Sequence, residues 1–367
     1  MESYLESYLD PKSGEKEIEA VFISHFHADH INGLQYLLDN SKVKYLFLPQ
    51  LTEEAFIEAY VYNFCQMGPY SQVNRFMSDL YRRLNSDDNN EGRPRIIQIE
   101  EANDSRFPDK FDIEEQTDDD LSIRALNRNH PDLDLLRQNH IPSGTVLYSG
   151  RWLYVPFNSI VVPEKRKELR KKLEEELSKK LGLKLISLVS IDGLHDLLKK
   201  LGVDKCKEIY NGVFNNQHNG YSMTLFSGIV IDSIVIDNKC WPRHRHCRFD
   251  YHCNYWNRFG NEDGCCNPNF LYTGDFEPQN NIRELRRFYN PVWEDIASIQ
   301  VPHHGSKFNF DATLYEYPIR GIVSVGNDNP YHHPDIDTLI KIQEQGCYPV
   351  IVTEDKSSMK IYHYEYC

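Results

Sequence analysis

The chain has 367 residues, 40% of them hydrophobic and 26% charged, with a formal net charge of −14, and this length allows one large domain with insertions or two domains. No window approaches the ~18 consecutive apolar residues of a membrane span, and the acidic start carries no signal-peptide pattern, so we expect a cytoplasmic protein with no membrane partner. The net negative charge argues against sequence-independent binding of duplex DNA, because such binding needs many lysine and arginine contacts to phosphate.

The first informative element is a predicted buried β-strand over residues 20–23, which a cluster of metal-binding side chains follows. His25 and His27 are two residues apart, so in an extended chain both side chains point the same way and can chelate one cation. Asp29 and His30 lie beyond the bend and can reach a second cation. Imidazole and carboxylate together suit Zn²⁺, with Mn²⁺ or iron as alternatives. The competing interpretation is a histidine-rich surface loop.

The next elements are predicted from the spacing of apolar residues. They are a helix over 31–39, a strand over 43–48 that ends at Pro49, and a helical region over 52–84 broken near Gly68. The polar, acidic stretch 86–120 is predicted to be a loop, a solvated edge or partly disordered. The aromatic residues of the 52–84 region are interpreted as core packing and not as a binding site.

The middle of the chain continues with a mixture of strands and helices. The predicted elements are a strand over 121–126, a hairpin over 144–155, a long helix over 163–182 and further helix over 184–210. Lysine and arginine alternate with glutamate along 163–182, which is typical of a solvated helix face with i,i+4 ion pairs and not of a nucleic-acid-binding patch.

The second half of the chain carries the remaining candidate site residues, each beside a predicted strand. The predicted strands span 221–226, 271–275, 298–302 and 322–326, and a helix over 335–345 is expected to have Pro334 in its first turn. His218 precedes the first of these strands. Asp275 ends the second, where a carboxylate can bridge two metal ions. His303 and His304 follow the third, and His333 follows the fourth.

Five short motifs occur in a fixed order. They are His-x-His-x-Asp-His at 25–30, Asn-x-x-Ser at 219–222, Thr-Gly-Asp at 273–275, Pro-His-His-Gly-Ser at 302–306 and Ser-Val-Gly-x-x-Asn-x-Tyr-x-His-Pro at 324–334. Together they resemble the metallo-β-lactamase superfamily of binuclear metallohydrolases, in the branch formed by the metallo-β-lactamase domain of the competence protein ComEC and its stand-alone relatives. The resemblance implies an α/β fold, an αββα sandwich with two metal ions at one edge between two sheets.

The resemblance also implies a domain organisation. Residues 1–50 would form the N-terminal part of the fold with the metal loop, and 212–367 the C-terminal part, with a Cys/His-rich insertion at 238–268. Residues 51–211 would be a largely helical insertion with a hairpin, able to bind a protein partner. Because His25 comes so early, we expect the usual N-terminal strands, and the acidic residue that buttresses the histidine loop, to be missing, replaced or supplied by another chain.

Residue roles are likewise implied by the matching motifs. His25 and His27 would bind the first metal ion, Asp29 and His30 the second, and Asp275 would bridge them. His303 would complete the second site while His304 contacts the phosphate or acts as an acid, although the reverse assignment stays open. The implied catalytic residues are Asp29, His304 and His333, of which Asp29 would take a proton from water. The third ligand of the first metal ion would be His218 or Asn219.

A second group of metal-binding residues lies within 238–268. Four of its cysteines could bind a structural Zn²⁺, namely Cys240, Cys247, Cys253 and Cys265. Their spacing fits no common zinc finger, and the alternative is a surface loop with unrelated thiols. Arginine and aromatic residues interleaved with them could instead contact a nucleic acid by stacking and phosphate binding.

The predicted function is a binuclear metal-dependent hydrolase with two divalent ions, Zn²⁺ by preference and Mn²⁺ as the alternative. The expected substrate is a phosphodiester, with nucleic acid among the candidates, attacked by a metal-bridging hydroxide. The alternatives are a hydrolase of a small ester, thioester or lactam, and a non-catalytic metallo-β-lactamase-fold module that binds a partner or belongs to a defence system.

Overall fold

The computed structural model describes residues 17–85, 93–102, 107, 122–126, 135–150, 152–159, 163–182, 191–214, 222–229, 268–317, 320–327, 329, 331–355 and 358. The chain divides into two compact units, each formed by three segments. The first unit comprises Met1–Glu101, Leu136–Ile141 and Ile160–Gly220, and the second comprises Ala102–Leu135, Pro142–Ser159 and Tyr221–Cys367.

The described residues form a mixed α/β structure, as the sequence predicts. The strands are β1 (Glu17–Phe22), β2 (Lys42–Pro49), β3 (Arg95–Ile99), β4 (Arg124–Leu126), β5 (His140–Ile141), β6 (Val146–Ser149), β7 (Trp152–Phe157), β8 (Thr224–Gly228), β9 (Phe270–Tyr272), β10 (Ser298–Gln300), β11 (Arg320–Ser324) and β12 (Tyr348–Val352). The α-helices are α1 (Ala28–Ile31), α2 (Leu34–Asn40), α3 (Glu53–Met67), α4 (Gln72–Leu84), α5 (Pro163–Leu181), α6 (Ile191–Leu201), α7 (Val203–Phe214), α8 (Pro278–Tyr289) and α9 (Ile336–Glu344).

The first unit contains a parallel sheet in the order β1-β2-β3-β5. Its central strand β2 is apolar at Leu46, Phe47 and Leu48, and all three side chains are fully buried. Strands buried in this way are typical of parallel sheets, because helices cover their faces. The helices α3, α5 and α7 pack against one another in the same unit.

Local signals explain where the helices of the first unit begin and end. The Thr52 side chain accepts a hydrogen bond from the backbone amide of Ala55 and caps α3. Gly68 ends α3 with a φ of 79°, a left-handed conformation that glycine adopts without strain. The Ser71 side chain then caps α4. The predicted break near Gly68 is therefore confirmed.

The second unit contains an eight-stranded sheet in the order β12-β11-β10-β9-β8-β7-β6-β4. Strands β9 to β12 are mutually parallel, whereas β4, β6, β7 and β8 continue the sheet in antiparallel pairing. The core beside it is rich in aromatic rings, including the fully buried Phe157, Phe226 and Tyr289. Because β9, β10 and β11 run in one direction, the loops that follow them emerge at the same edge of the sheet.

Several predicted elements differ from the structure. Strand β3 lies inside the stretch 86–120, which was predicted to be a loop, a solvated edge or partly disordered, and that prediction is wrong for Arg95–Ile99. Strands β5 and β12 and helix α8 were not predicted. Pro334 does not lie in the first turn of α9, because Asp335 is the N-cap and its side chain accepts a hydrogen bond from the Asp337 amide. Residues 51–211 contribute strands to both sheets.

In the part of the chain that the structure describes, none of the helices combines the length and the apolar character needed to cross a bilayer.

A buried ion pair joins two helices of the first unit. Arg166 Nε of α5 lies 2.8 Å from Glu58 Oε2 of α3, and both side chains are buried. Arg166 Nη1 also lies 3.6 Å from Glu101 Oε1. The interaction ties α5 to α3, because each charge would be costly to bury without the other.

We predict that Arg166→Ala lowers the free energy of unfolding by about 3 kcal/mol or more, because Glu58 would keep a buried charge without its cation. The measurement is urea unfolding at pH 7. The control is Lys179→Ala, which removes an exposed pair with Glu176 and should cost less than about 1 kcal/mol. Equal costs for the two variants would contradict the prediction.

Candidate metal centre

The histidine loop of the first unit brings three imidazole rings together. The loop leaves the end of β1 and enters α1, whose N-cap is His27. The centroid of the His25 ring lies 4.6 Å from that of His27 and 4.1 Å from that of His30. His25 and His27 are only 7% and 6% exposed, whereas Asp29 in the first turn of α1 is exposed. The predicted clustering of these histidines is therefore present.

Two contacts within the loop orient its side chains. Ser24 Oγ lies 3.1 Å from His25 Nδ1, and this contact orients the ring. His30 Nε2 lies 3.7 Å from Asp29 Oδ2. Helix α1 begins directly at the loop, because the amide of Ile31 donates to the carbonyl of His27. The loop is thus anchored at both of its ends by regular structure.

The Thr-Gly-Asp turn of the second unit follows β9 and buries Asp275. The carboxylate is 2% exposed, and its backbone amide donates to Ser222 Oγ at 2.8 Å. Gln300 at the end of β10 stabilises the turn, since its Oε1 accepts from the amides of both Thr273 and Gly274. These hydrogen bonds fix the direction of the Asp275 side chain.

The Pro-His-His-Gly-Ser segment follows β10 and adopts an uncommon backbone conformation. His303, His304 and Gly305 have φ values of 50°, 54° and 84°, all left-handed. Such a conformation costs on the order of 1–3 kcal/mol for each non-glycine residue, so the surrounding structure must hold it in place. The amide of His303 donates to the Gly274 carbonyl, and the Gly305 carbonyl accepts from the Asp335 amide at 3.1 Å.

The two histidines of this segment make different hydrogen bonds. His303 Nδ1 lies 2.8 Å from Asp275 Oδ2, and His304 Nδ1 lies 2.6 Å from the carbonyl oxygen of Ser324. A carbonyl oxygen only accepts, so Nδ1 of His304 carries the proton and its Nε2 is a lone-pair donor. A metal-binding histidine usually donates its other ring N–H to a carbonyl or carboxylate in this way.

His333, the late histidine before proline, lies beside this histidine pair. Its ring centroid is 5.8 Å from that of His303. Burial lowers the pKa of His333, and the neighbouring His303 and His304 lower it further. His332 is exposed.

The side chains that could hold a metal ion are histidines and aspartates. In the first unit they are His25, His27, Asp29 and His30, and in the second they include Asp275 and His304. Imidazole and carboxylate donors in this proportion fit Zn²⁺ or Mn²⁺. The described cysteines, Cys65, Cys206 and Cys347, are buried, and burial raises the pKa of each thiol to about 12, so they do not offer a thiolate.

Other predicted site residues lie outside the described part of the chain. They are His218, Asn219, and the four cysteines proposed for a structural zinc site, Cys240, Cys247, Cys253 and Cys265.

The sequence analysis missed three residues that support the candidate site. Gln300 holds the Thr-Gly-Asp turn, and Tyr62 and Asn63 of α3 contact the histidine loop. Asn63 carried a signal, since an amide within the apolar run Tyr60 to Cys65 of a helix must find a buried hydrogen-bond partner. Gln300 carried no sequence signal, because its contact with the Thr-Gly-Asp turn depends on the register of β10 with β9.

One comparison with known proteins matches the segment that carries the histidine loop. The family model of the metallo-beta-lactamase superfamily matches residues 7–63, a segment that includes the histidine loop. A search of curated proteins found no significant match. The superfamily match and the histidine and aspartate donors together indicate a metal-dependent hydrolase.

We predict that Gly305→Ala displaces the histidine pair. A Cβ at this position would lie 2.6 Å from Pro334 Cβ, in addition to the cost of the left-handed φ. The control is Gly346→Ala, which has a φ of 79° and open space around the Cβ, and should cost roughly 1–2 kcal/mol.

The measurements for this pair are urea unfolding and zinc affinity by chelator competition. We expect Gly305→Ala to lose more stability than Gly346→Ala and to bind zinc more weakly, while Gly346→Ala keeps the wild-type affinity. Unchanged zinc binding by a folded Gly305→Ala variant would contradict the prediction.

Proposed function

We propose that the protein is a binuclear metal-dependent phosphodiesterase. The observation that carries the proposal is the Asp275–His303 hydrogen bond beside His304, at the edge where the parallel strands β9 and β10 end. A buried carboxylate beside imidazoles is costly without a cation to balance it. Two divalent ions, when bound, would lower the pKa of a shared water towards 7 and stabilise charge on phosphoryl oxygens.

The proposed ligand set follows the roles that the ordered sequence motifs imply. His25 and His27 would bind one ion, Asp29, His30 and His304 the other, and Asp275 would bridge them. We assign His304 and not His303 as the ligand, which reverses the preference drawn from sequence. The reason is that His304 offers a ring nitrogen to a group of side chains that could hold a metal ion, whereas Nδ1 of His303 is hydrogen-bonded to the carboxylate of Asp275.

The other side chains of the site would orient the reacting groups. His303 would hold the Asp275 carboxylate through its Nδ1–H, and so fix the rotation of that carboxylate. His333, half-buried beside His303, would donate a proton to the leaving oxygen. Asp29 is exposed at the first turn of α1 and would accept the proton of the attacking water.

Two exposed aromatic rings favour a substrate with a nucleobase over a lactam or small ester. Phe308 and Tyr331 are 74% and 70% exposed, and both belong to the segments that carry the candidate histidines. The Tyr331 ring stacks with that of His333 at 6.1 Å. Nucleobases stack on exposed aromatic rings irrespective of sequence, so these rings would favour single-stranded nucleic acid or nucleotides.

Further details of the proposal rest on the sequence motifs. The ordered motifs support a relation to the ComEC branch, an αββα sandwich and zinc as the preferred metal. A cytoplasmic location and a protein partner bound by residues 51–211 stay predictions. The non-catalytic module is the competing proposal, and it differs in predicting no bound metal.

We predict that the purified protein binds about two equivalents of Zn²⁺ or Mn²⁺. Asp275→Ala should lose at least one equivalent, and hydrolysis of bis-p-nitrophenyl phosphate should fall by more than 100-fold, since the proposed bridge is removed. Elemental analysis and release of p-nitrophenolate are the measurements. The control is Asp204→Ala, an exposed position at the start of α7. A folded protein without metal would support the module instead.

We also predict that Phe308→Ala and Tyr331→Ala weaken binding of a nucleotide substrate. The KM for thymidine 5′-phosphate p-nitrophenyl ester should rise about fivefold, since one stacked base contributes about 1 kcal/mol or more. The KM for methyl p-nitrophenyl phosphate should change less. Tyr348→Ala, another exposed tyrosine, is the control. Equal effects on both substrates would argue against base stacking.

A further inference from the structure

Helix α3 contacts the histidine loop through two consecutive residues. Asn63 Nδ2 donates a hydrogen bond to the carbonyl oxygen of Phe26 at 2.8 Å, and the Asn63 side chain is fully buried. Tyr62 stacks on the ring of His27, with ring centroids 3.8 Å apart and planes at 22°. The two contacts therefore act on neighbouring residues of the loop, one on its backbone and one on its imidazole.

Each contact fixes a different degree of freedom of the candidate ligands. Phe26 lies between His25 and His27, so holding its carbonyl fixes the orientation of the peptide plane that joins Phe26 to His27. Stacking on Tyr62 fixes the plane of the His27 ring and so the direction of its nitrogen lone pair. A bidentate imidazole site requires both, because metal–nitrogen bonds tolerate deviations of only about 0.2 Å.

The position of these residues on α3 makes the support rigid. The neighbouring side chains Val61 and Phe64 are fully buried, and the N-terminal end of the helix is capped by Thr52. The helix is also tied to α5 by the buried pair of Glu58 with Arg166. Movement of Asn63 away from the loop would disturb these contacts together.

We propose that Tyr62 and Asn63 are positioning residues that hold the His27 ring and the Phe26 carbonyl, and so set the metal affinity of the histidine loop. This inference rests on the proposed metal-dependent function. The sequence resemblance implied that an acidic residue before the histidine loop supports it. The present inference gives that supporting role to helix α3, which follows the loop.

The test compares Asn63→Leu with Asn74→Leu. Both asparagines are buried, and both donate through Nδ2 to a backbone carbonyl, Asn74 to that of Gly68 at the turn between α3 and α4. The two substitutions should therefore destabilise the fold to a similar extent. Only Asn63→Leu should weaken Zn²⁺ binding, by about tenfold or more in competition with a chromophoric chelator.

A second readout follows the geometry of the site directly. With Co²⁺ as the probe, the visible absorption bands should shift in Asn63→Leu and remain at the wild-type position in Asn74→Leu. If Asn63→Leu fails to fold, Asn63→Ala removes the donating amide without adding bulk, and it is compared with Asn74→Ala. Asn63→Ala is expected to give the same loss of affinity.

The contribution of Tyr62 is tested with a matched pair of variants. Tyr62→Phe keeps the ring and should retain the wild-type zinc affinity, whereas Tyr62→Leu should weaken it. If wild type binds Zn²⁺ and the Asn63 and Tyr62→Leu variants bind it equally well, the inference is overturned. If wild type binds no metal, the proposed function itself fails, so the two failures are distinguishable.

Discussion

The parallel register of strands β9, β10 and β11 is the constraint on which the second half of the candidate site depends. Parallel strands release their chains at the same edge of a sheet, so residues far apart in sequence become neighbours there. Asp275 follows β9, His303 and His304 follow β10, and His333 lies in the segment between β11 and α9. A slip of β10 would break the Gln300 contacts that hold the Thr-Gly-Asp turn, and Asp275 would lose its orientation.

The sequence predicted the strand ends better than the contacts that support them. The histidine loop, Asp275 and the His-His-Gly turn follow apolar runs whose strand character is local, so their places could be predicted. Strand β3 was not predicted, because Arg95 to Ile99 is a run of only five residues inside a polar, acidic stretch. Its strand character becomes clear only from its pairing with β2. The apolar neighbours of Asn63 indicate that its amide is buried and paired, but which carbonyl it reaches depends on how α3 packs.

The assignment of the two adjacent histidines shows the same limit. From sequence, His303 and His304 are equivalent imidazoles after a strand, and proximity to the strand favoured His303. What distinguishes them is the acceptor that each ring reaches, the Asp275 carboxylate for one and the Ser324 carbonyl for the other. The left-handed φ of both residues sends the two rings to these acceptors, and this conformation is uncommon for residues other than glycine, so the local sequence does not predict it.

The charge of the protein bears on how a phosphate group would be recognised. The net charge of −14 repels polyanions at long range, and Lys307, three residues after His304, lies 3.4 Å from Asp335. A surface pair of this kind leaves little net positive charge for a ligand. In the proposed function, attraction of the phosphodiester would therefore come from the bound cations over a short range.

The close approach of Gly305 to Pro334 has an evolutionary consequence. Because a methyl group at 305 would collide with the proline ring, a lineage could replace this glycine only after the proline had been lost or displaced. The two positions should therefore covary among homologues, and chains that keep one but not the other would mark branches in which the histidine pair has drifted from its present conformation.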